Sequence, residues 1–317
     1  MKRKDKEDKK GVFEFAWIFA VIVGALILFL AFYFVGTHLL KQRYEQETVQ
    51  AQSLEILLNP FAYLGSLGAT SYNPLELQEK AEIIIDCKVE SINDFGYNEI
   101  TILLKKAEEP SLPKLSYDKY LYAPQPLKDK NFGALSKPFE MPWRVADIII
   151  LWPSSQEYCF SNAPQEIRSE IGKLKETANI TNIKFENCSQ DAINICWGGG
   201  TNCRVKVNPA SRTVEHVKEG KTLYYTTNTL MYAAIFSDPQ LYNCNLKRLM
   251  ARLNSEVDIY EKKAITLSQK NCDATYNLVP IRSAAESVFN NPGNIAQLEQ
   301  SATMLKTTNN MADCTLF

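Results

Sequence analysis

Chemistry in this chain could begin from few residues. Histidine occurs twice, at His38 and His216, and cysteine eight times, at Cys87, Cys159, Cys188, Cys196, Cys203, Cys244, Cys272 and Cys314. Imidazole and thiolate are the ligands zinc favours. The central cysteines, however, run C-x7-C-x6-C from Cys188 to Cys203, with no C-x2-C pair and no histidine beside them, so no metal-ligating residue is expected. A Ser–His–acid site would have only His216 to draw on, because His38 borders an apolar run, and no G-x-S-x-G is present. Gly220-Lys221-Thr222 has the ending of a phosphate-binding loop, but Glu215 stands where that loop's first glycine belongs; a β-turn is the better reading. The run Trp197 to Thr201, WGGGT, could aim backbone N–H groups at an anion, yet three glycines in a row more simply make a turn. Glu108 and Glu109 precede Pro110 in what reads as a solvated loop, without the contrasting environments that paired glycosidase carboxylates require. The sequence therefore predicts no catalytic residue, no cofactor and no enzyme activity.

The cysteines point to a different role. Their number is even and all lie after the apolar run, as an oxidising, exported compartment allows. Eight cysteines permit on the order of a hundred pairings. Cys196 and Cys203 bracket a turn between two strand patterns and are expected to crosslink a hairpin. Cys159 and Cys188 each follow a strand pattern and make the second expected pair. Cys244 and Cys314 could clamp the two ends of the helical C-terminal region, leaving Cys87 and Cys272 unassigned. Sequons at Asn179 (NIT) and Asn187 (NCS) permit N-glycosylation on an exported surface.

The element that would deliver this region to such a compartment is the uncharged run Phe15 to Val35, FAWIFAVIVGALILFLAFYFV. As a helix rising about 1.5 Å per residue it spans roughly 30 Å, the thickness of a bilayer's hydrocarbon core. Before it stands MKRKDKEDKK, with six Lys or Arg against three acids; after it Lys41 and Arg43 are balanced by Glu45 and Glu47. That asymmetry predicts a single-pass protein of the cell membrane, N-terminus cytoplasmic and C-terminal region outside. A net charge of −1 excludes a strongly basic nucleic-acid binder, so the expected partner is the lipid bilayer. Ala16, Ala20 and Gly24 recur every four residues, a small-residue stripe that lets another membrane helix, of this chain's own kind or a different one, approach closely.

The junction Lys9 to Phe15, KKGVFEF, resembles the class III signal peptides of type IV pilins and archaeal pilin-like membrane proteins. The resemblance covers about 25 residues. It implies an archaeal cell envelope and a prepilin peptidase that cuts between Gly11 and Val12, leaving the apolar segment as an N-terminal helix. It also implies that Glu14 helps membrane helices associate, although Glu14 would be the third residue of the cleaved chain where the family has its glutamate fifth. An uncleaved signal anchor, with Glu14 at the headgroup level, remains the alternative.

Beyond residue 37 the chain reads as α+β. Residues 38–58 continue as a juxtamembrane helix up to Asn59-Pro60, and a Gly/Pro/Ser-punctuated connection follows. Residues 59–226 form an exported β-rich α/β domain. Within it Ala81 to Val89 and Asn98 to Lys106 make a hairpin, and Val145 to Trp152 is a fully buried strand. A helix at Asn162 to Ala178 lies between strands, which suggests an α/β sandwich over 145–208 with a parallel or mixed sheet. Residues 227–317 are strand-poor and form a helical hairpin or small bundle packed on the sheet; Leu246, Leu249, Leu253, Val257, Tyr260 and Ala264 share one face, with Lys and Arg elsewhere. Three functional readings follow, in order of preference: a non-enzymatic surface-assembly or adhesion protein of pilin-like type, a membrane-tethered accessory factor that binds a ligand or partner, and an anchored hydrolase.

Overall fold

The structure, a computed structural model, describes residues 17–36, 70–104, 110–178, 180–200, 202–270 and 276–317. The leader with Gly11 and Val12, Glu14, Ala16, the helical extension at 38–58 with His38, the pair Glu108-Glu109, Asn179 and Cys272 lie outside the described residues. The chain is mixed α+β: an N-terminal apolar helix, two six-stranded sheets and a C-terminal set of helices.

Helix α1 (Trp17–Gly36) is 20 residues long with mean hydropathy 2.9, and none of its apolar stretch is buried against the rest of the chain. It is long and apolar enough to cross a membrane, and many of its large side chains are exposed, Phe32 at 75%. Ala20 and Gly24 lie four residues apart on it, and a Cβ at Gly24 would meet nothing within 4 Å.

The first sheet contains β1 (Ser71–Lys88), β2 (Tyr97–Leu104), β3 (Lys114–Ser116), β4 (Tyr120–Tyr122), β5 (Leu127–Glu140) and β6 (Arg144–Pro153), in the order β3-β2-β1-β5-β6-β4. The expected β1–β2 hairpin is present, with Ile83 opposite Ile102 and Ile85 opposite Ile100. β1 begins earlier than its sequence suggests, inside the stretch expected to be a connection. Pro74 is tolerated because β2 pairs from Ala81 onward, so among the described residues the first half of β1 has a neighbour, β5, on one side alone. β6 is the expected buried strand: Ile148, Ile150 and Trp152 enter the main core while Ile149 and Leu151 enter a second one.

β5 carries no strand pattern, yet it sits at the centre of the sheet between β1 and β6. Lys, Asp, Asn, Gly and Pro hide it, and two of these residues have identifiable reasons. Gly133 faces Trp152 across the ladder, and a Cβ there would lie 2.3–2.6 Å from the indole. Pro138 lies past the last β1 pairing, Ser71 with Ser136, and its carbonyl accepts the Thr229 hydroxyl, so that edge of the residue points away from the ladder with β6. The second core joins Ile100 and Ile102 of β2 to Leu121 of the edge strand β4 and to Ala123 just after it. Only a curled sheet brings these together, and Asn98 Nδ2 donating to the Lys119 carbonyl (2.9 Å) fastens the curl.

The second sheet holds β7 (Tyr158–Ser161), β8 (Ile183–Lys184), β9 (Ile193–Trp197), β10 (Val205–Asn208), β11 (Thr213–His216) and β12 (Lys221–Tyr224), ordered β12-β11-β10-β9-β7-β8. Helix α2 (Gln165–Ala178) crosses between the parallel strands β7 and β8. The expected sandwich over 145–208 is corrected in one respect: β6 belongs to the other sheet, and the strand–helix–strand unit starts at β7, whose four residues are too short to show periodicity. The expected hairpin at Cys196 and Cys203 is also corrected. β9 and β10 run parallel, with Val205 opposite Ile195, so the short loop between them has to back up only two residues.

Helix α3 (Asn228–Phe236), apolar all round, is buried from Thr229 to Phe236 and contacts strands of both sheets. Thr227 caps it by accepting from Leu230 N–H (3.2 Å), and Asp238 caps α4 (Pro239–Gln269) by accepting from Gln240 and Leu241 N–H. α4 packs on α5 (Val279–Asn290), and α5 on α6 (Ile295–Met311), so the helical region shares one core with both sheets. Leu246, Leu249, Leu253 and Val257 are fully buried, while Tyr260 and Ala264 are partly covered against the same core.

Three disulfides join described residues. Cys159–Cys188 and Cys196–Cys203 pair as their spacing suggests, each with Cα atoms 5.8 Å apart. The third corrects the expected Cys244–Cys314 clamp: Cys244 bonds Cys87, tying α4 to β1 across 157 residues, because the first turns of α4 pack on the sheet rather than on the chain's end. Cys314 is disulfide-bonded as well, and Cys272, the one cysteine left over, lies outside the described residues.

Candidate functional site

Where the two sheets meet, the elbow between α3 and α4 leaves a cleft of about 260 Å³. Its floor is made by strand ends: Tyr158, Ile193 and Val205 are the first residues of β7, β9 and β10, and His216 is the last of β11. Pro124 and Gln125 close one wall from the loop after β4, and Ile235 to Pro239 close the other. A second cleft of about 300 Å³, which reaches Cys87 and Cys244, shares Gln125 and Asp238 with the first. The cleft lies at the amino ends of the parallel strands, whereas ligand crevices of open α/β sheets lie at the carboxyl ends.

His216 is 9% exposed, and its Nε2 lies 2.7 Å from the Ala234 carbonyl, which assigns the proton to that nitrogen. Nδ1 is left 4.0 Å from Glu219. Ser237, buried beside it, donates its hydroxyl to the Asp238 carbonyl (3.1 Å), and Asp238 itself is engaged as the α4 cap. Burial raises the Tyr158 hydroxyl above its ordinary pKa, so it stays protonated. Among the described residues of the cleft, no nucleophile is hydrogen-bonded to a base. The cleft does offer donors. Gln125 Nε2 is buried without a hydrogen-bond partner among the described residues, and Arg204 and Lys218 reach the cleft without an ion pair there. An unpartnered buried amide costs on the order of 1–3 kcal/mol, which a water or a ligand oxygen would recover.

Gly220, at φ 60, forms the turn between β11 and β12, with His216 opposite Lys221, and no helix follows it as a phosphate-binding loop would need. In the WGGGT loop a Cβ at Gly200 would lie 2.7 Å from Cys203 Sγ, so that glycine makes room for the disulfide. Among the described residues no group of three His, Cys, Asp or Glu could hold a metal ion.

Two polar clusters escape sequence reasoning. Arg248, expected off the apolar face of α4 with the other Lys and Arg residues, is fully buried. Its guanidinium donates to the carbonyls of Phe95 (3.0 Å), Lys119 (2.8 Å) and Tyr117 (2.8 Å) and to Asn245 Oδ1 (2.8 Å), with the Tyr120 ring 4.8 Å away. Burial lowers its pKa, but a guanidinium stays charged, and backbone oxygens stand in for a carboxylate. It thereby fixes the loops carrying Phe95 and Tyr117, both about half exposed or more. The second cluster joins Lys137 of β5 to Glu170 of α2, which also accepts from the Tyr232 hydroxyl of α3 (2.9 Å). Leu241, Asn245 and Arg248, spaced four and three apart, were a legible second stripe on α4. Nothing in the sequence marks Gln125.

No protein-family model, curated protein or solved structure matches this chain, so the geometry above carries the functional reading alone.

Proposed function

We propose that this is a non-enzymatic, single-pass membrane protein, N-terminus in the cytoplasm, whose disulfide-stapled outer domain serves surface assembly or adhesion in the manner of a pilin-like subunit. The observation that carries the reading is α1: a 20-residue apolar helix none of whose apolar stretch is buried among the described residues. Such a helix is satisfied by lipid or by other helices, and both the leader charge and the disulfides favour export of the tail. The intact mass of protein purified from its own membranes tests it. Loss of residues 1–11, giving a chain that begins at Val12, together with filaments containing the protein in electron micrographs, supports the pilin-like form. A retained leader removes it and leaves a plain anchor.

The second reading is a tethered ligand-binding accessory factor, favoured by the donor-lined cleft at Gln125, Arg204 and Lys218. Small carboxylates and phosphates, tried individually for a rise in melting temperature, would test it. A rise that disappears in Arg204→Ala supports the reading, and no rise with any of them counts against it.

A further inference from the structure

We infer that Asn187 is an N-glycosylation site, taking an oligosaccharide from a lipid-pyrophosphate-linked donor before the Cys159–Cys188 disulfide closes. The inference rests on the export reading above. Asn187-Cys188-Ser189 is a sequon on an exposed bend after β8, outside any helix or strand. Asn187 takes φ 55, a turn conformation that asparagine tolerates, and its carboxamide makes no hydrogen bond among the described residues. In transfer, Asn187 Nδ2 bonds to the anomeric carbon of the donor sugar. The bond from that carbon to the pyrophosphate oxygen breaks, the lipid pyrophosphate leaves with the electron pair, and the amide releases one proton.

The rest of the sequon sets the order of events. Cys188 is bonded to Cys159 of β7, and the Ser189 N–H donates to Glu157 Oε1 at 2.6 Å, with Glu157 held in turn by Lys184 (2.8 Å). A segment fixed at its second and third residues cannot be drawn into another enzyme's active site, so transfer precedes closure. The location also gives the glycan a physical role. Among the described residues β8 is the two-residue edge of its sheet, with its outer side unpaired in the ladder, and a bulky solvated group three residues beyond it shields that edge from pairing with another chain.

Full-length protein from its own membranes, reduced, alkylated and cut with trypsin, provides the test, because cleavage after Lys184 separates this sequon from the one at Asn179. The peptide from Phe185 to Arg204 is expected to carry a glycan mass that is lost in Ser189→Ala and kept in Ser189→Thr; both variants leave Asn187 in place. In pulse-labelled chains that mass should appear before Cys188 resists alkylation, and the reverse order overturns the proposed sequence. A bare Asn187 in protein whose cysteines resist alkylation until reduced overturns the site while sparing the export reading. A bare Asn187 in protein whose cysteines alkylate freely overturns both.

Discussion

At the scale of single residues, Lys137 pairs with an opposite charge, Glu170, whereas the buried charges of Arg248 and Asp129 are held largely by backbone groups. Arg248 holds four loop carbonyls and an amide oxygen. Replacing it by methionine keeps the volume but removes the donor they share; the Lys119 carbonyl keeps the Asn98 amide, and each of the others that stays dry costs about 1–3 kcal/mol. The Arg248→Met protein is expected to melt roughly 5–10 °C lower by circular dichroism. Asp129 shows the opposite polarity. Burial alone would push its carboxyl up, but backbone N–H groups of Ser155 and Lys130, each 2.7 Å away, help to outweigh that and hold it below the usual carboxylate value. A carboxyl whose pKa falls on folding contributes stability above its ordinary value and loses it as pH drops through the lowered one. Asp129→Asn should therefore cost about 1–2 kcal/mol in urea unfolding at neutral pH. The difference from the parent should vanish in acid, once the parent's carboxyl is itself protonated.

At the scale of elements, legibility followed local pattern. β6, the β1–β2 hairpin, α2 and the main face of α4 were readable because their apolar spacing repeats over eight residues or more. β7 was not, since four residues carry no period, and β5 was not, because its constraints come from neighbours far away in sequence. Gly133 looks like a strand breaker until Trp152 is seen lying over it. Gly133→Ala, a substitution that raises strand propensity on paper, is expected to destabilise by roughly 1–3 kcal/mol as the indole is forced aside, measurable as a lower denaturation midpoint with quenched or shifted tryptophan emission. The cleft was less legible than the fold. His216 was the residue to watch in the sequence, but Gln125, Arg204 and the α3–α4 elbow reach the cleft from three distant parts of the chain, and no local spacing could announce that.

At the scale of the whole molecule, two solvents are implied. α1 presents apolar side chains on every side, while the rest buries its apolar residues in two cores crosslinked by disulfides that fold the chain back on itself. Cys87–Cys244 is the long-range tie: it fixes β1 to the helical region. Such crosslinks persist where thiols oxidise and are rare where glutathione keeps them reduced. The compartment is thus the claim on which assembly, adhesion, ligand capture and glycosylation all depend. It is tested most directly by adding a membrane-permeant alkylating reagent to living cells, purifying the protein under denaturing conditions and weighing it before and after reduction and a second alkylation. The account predicts no alkylated cysteine in the first mass and eight in the second; a first mass already carrying the label at all eight cysteines would contradict it.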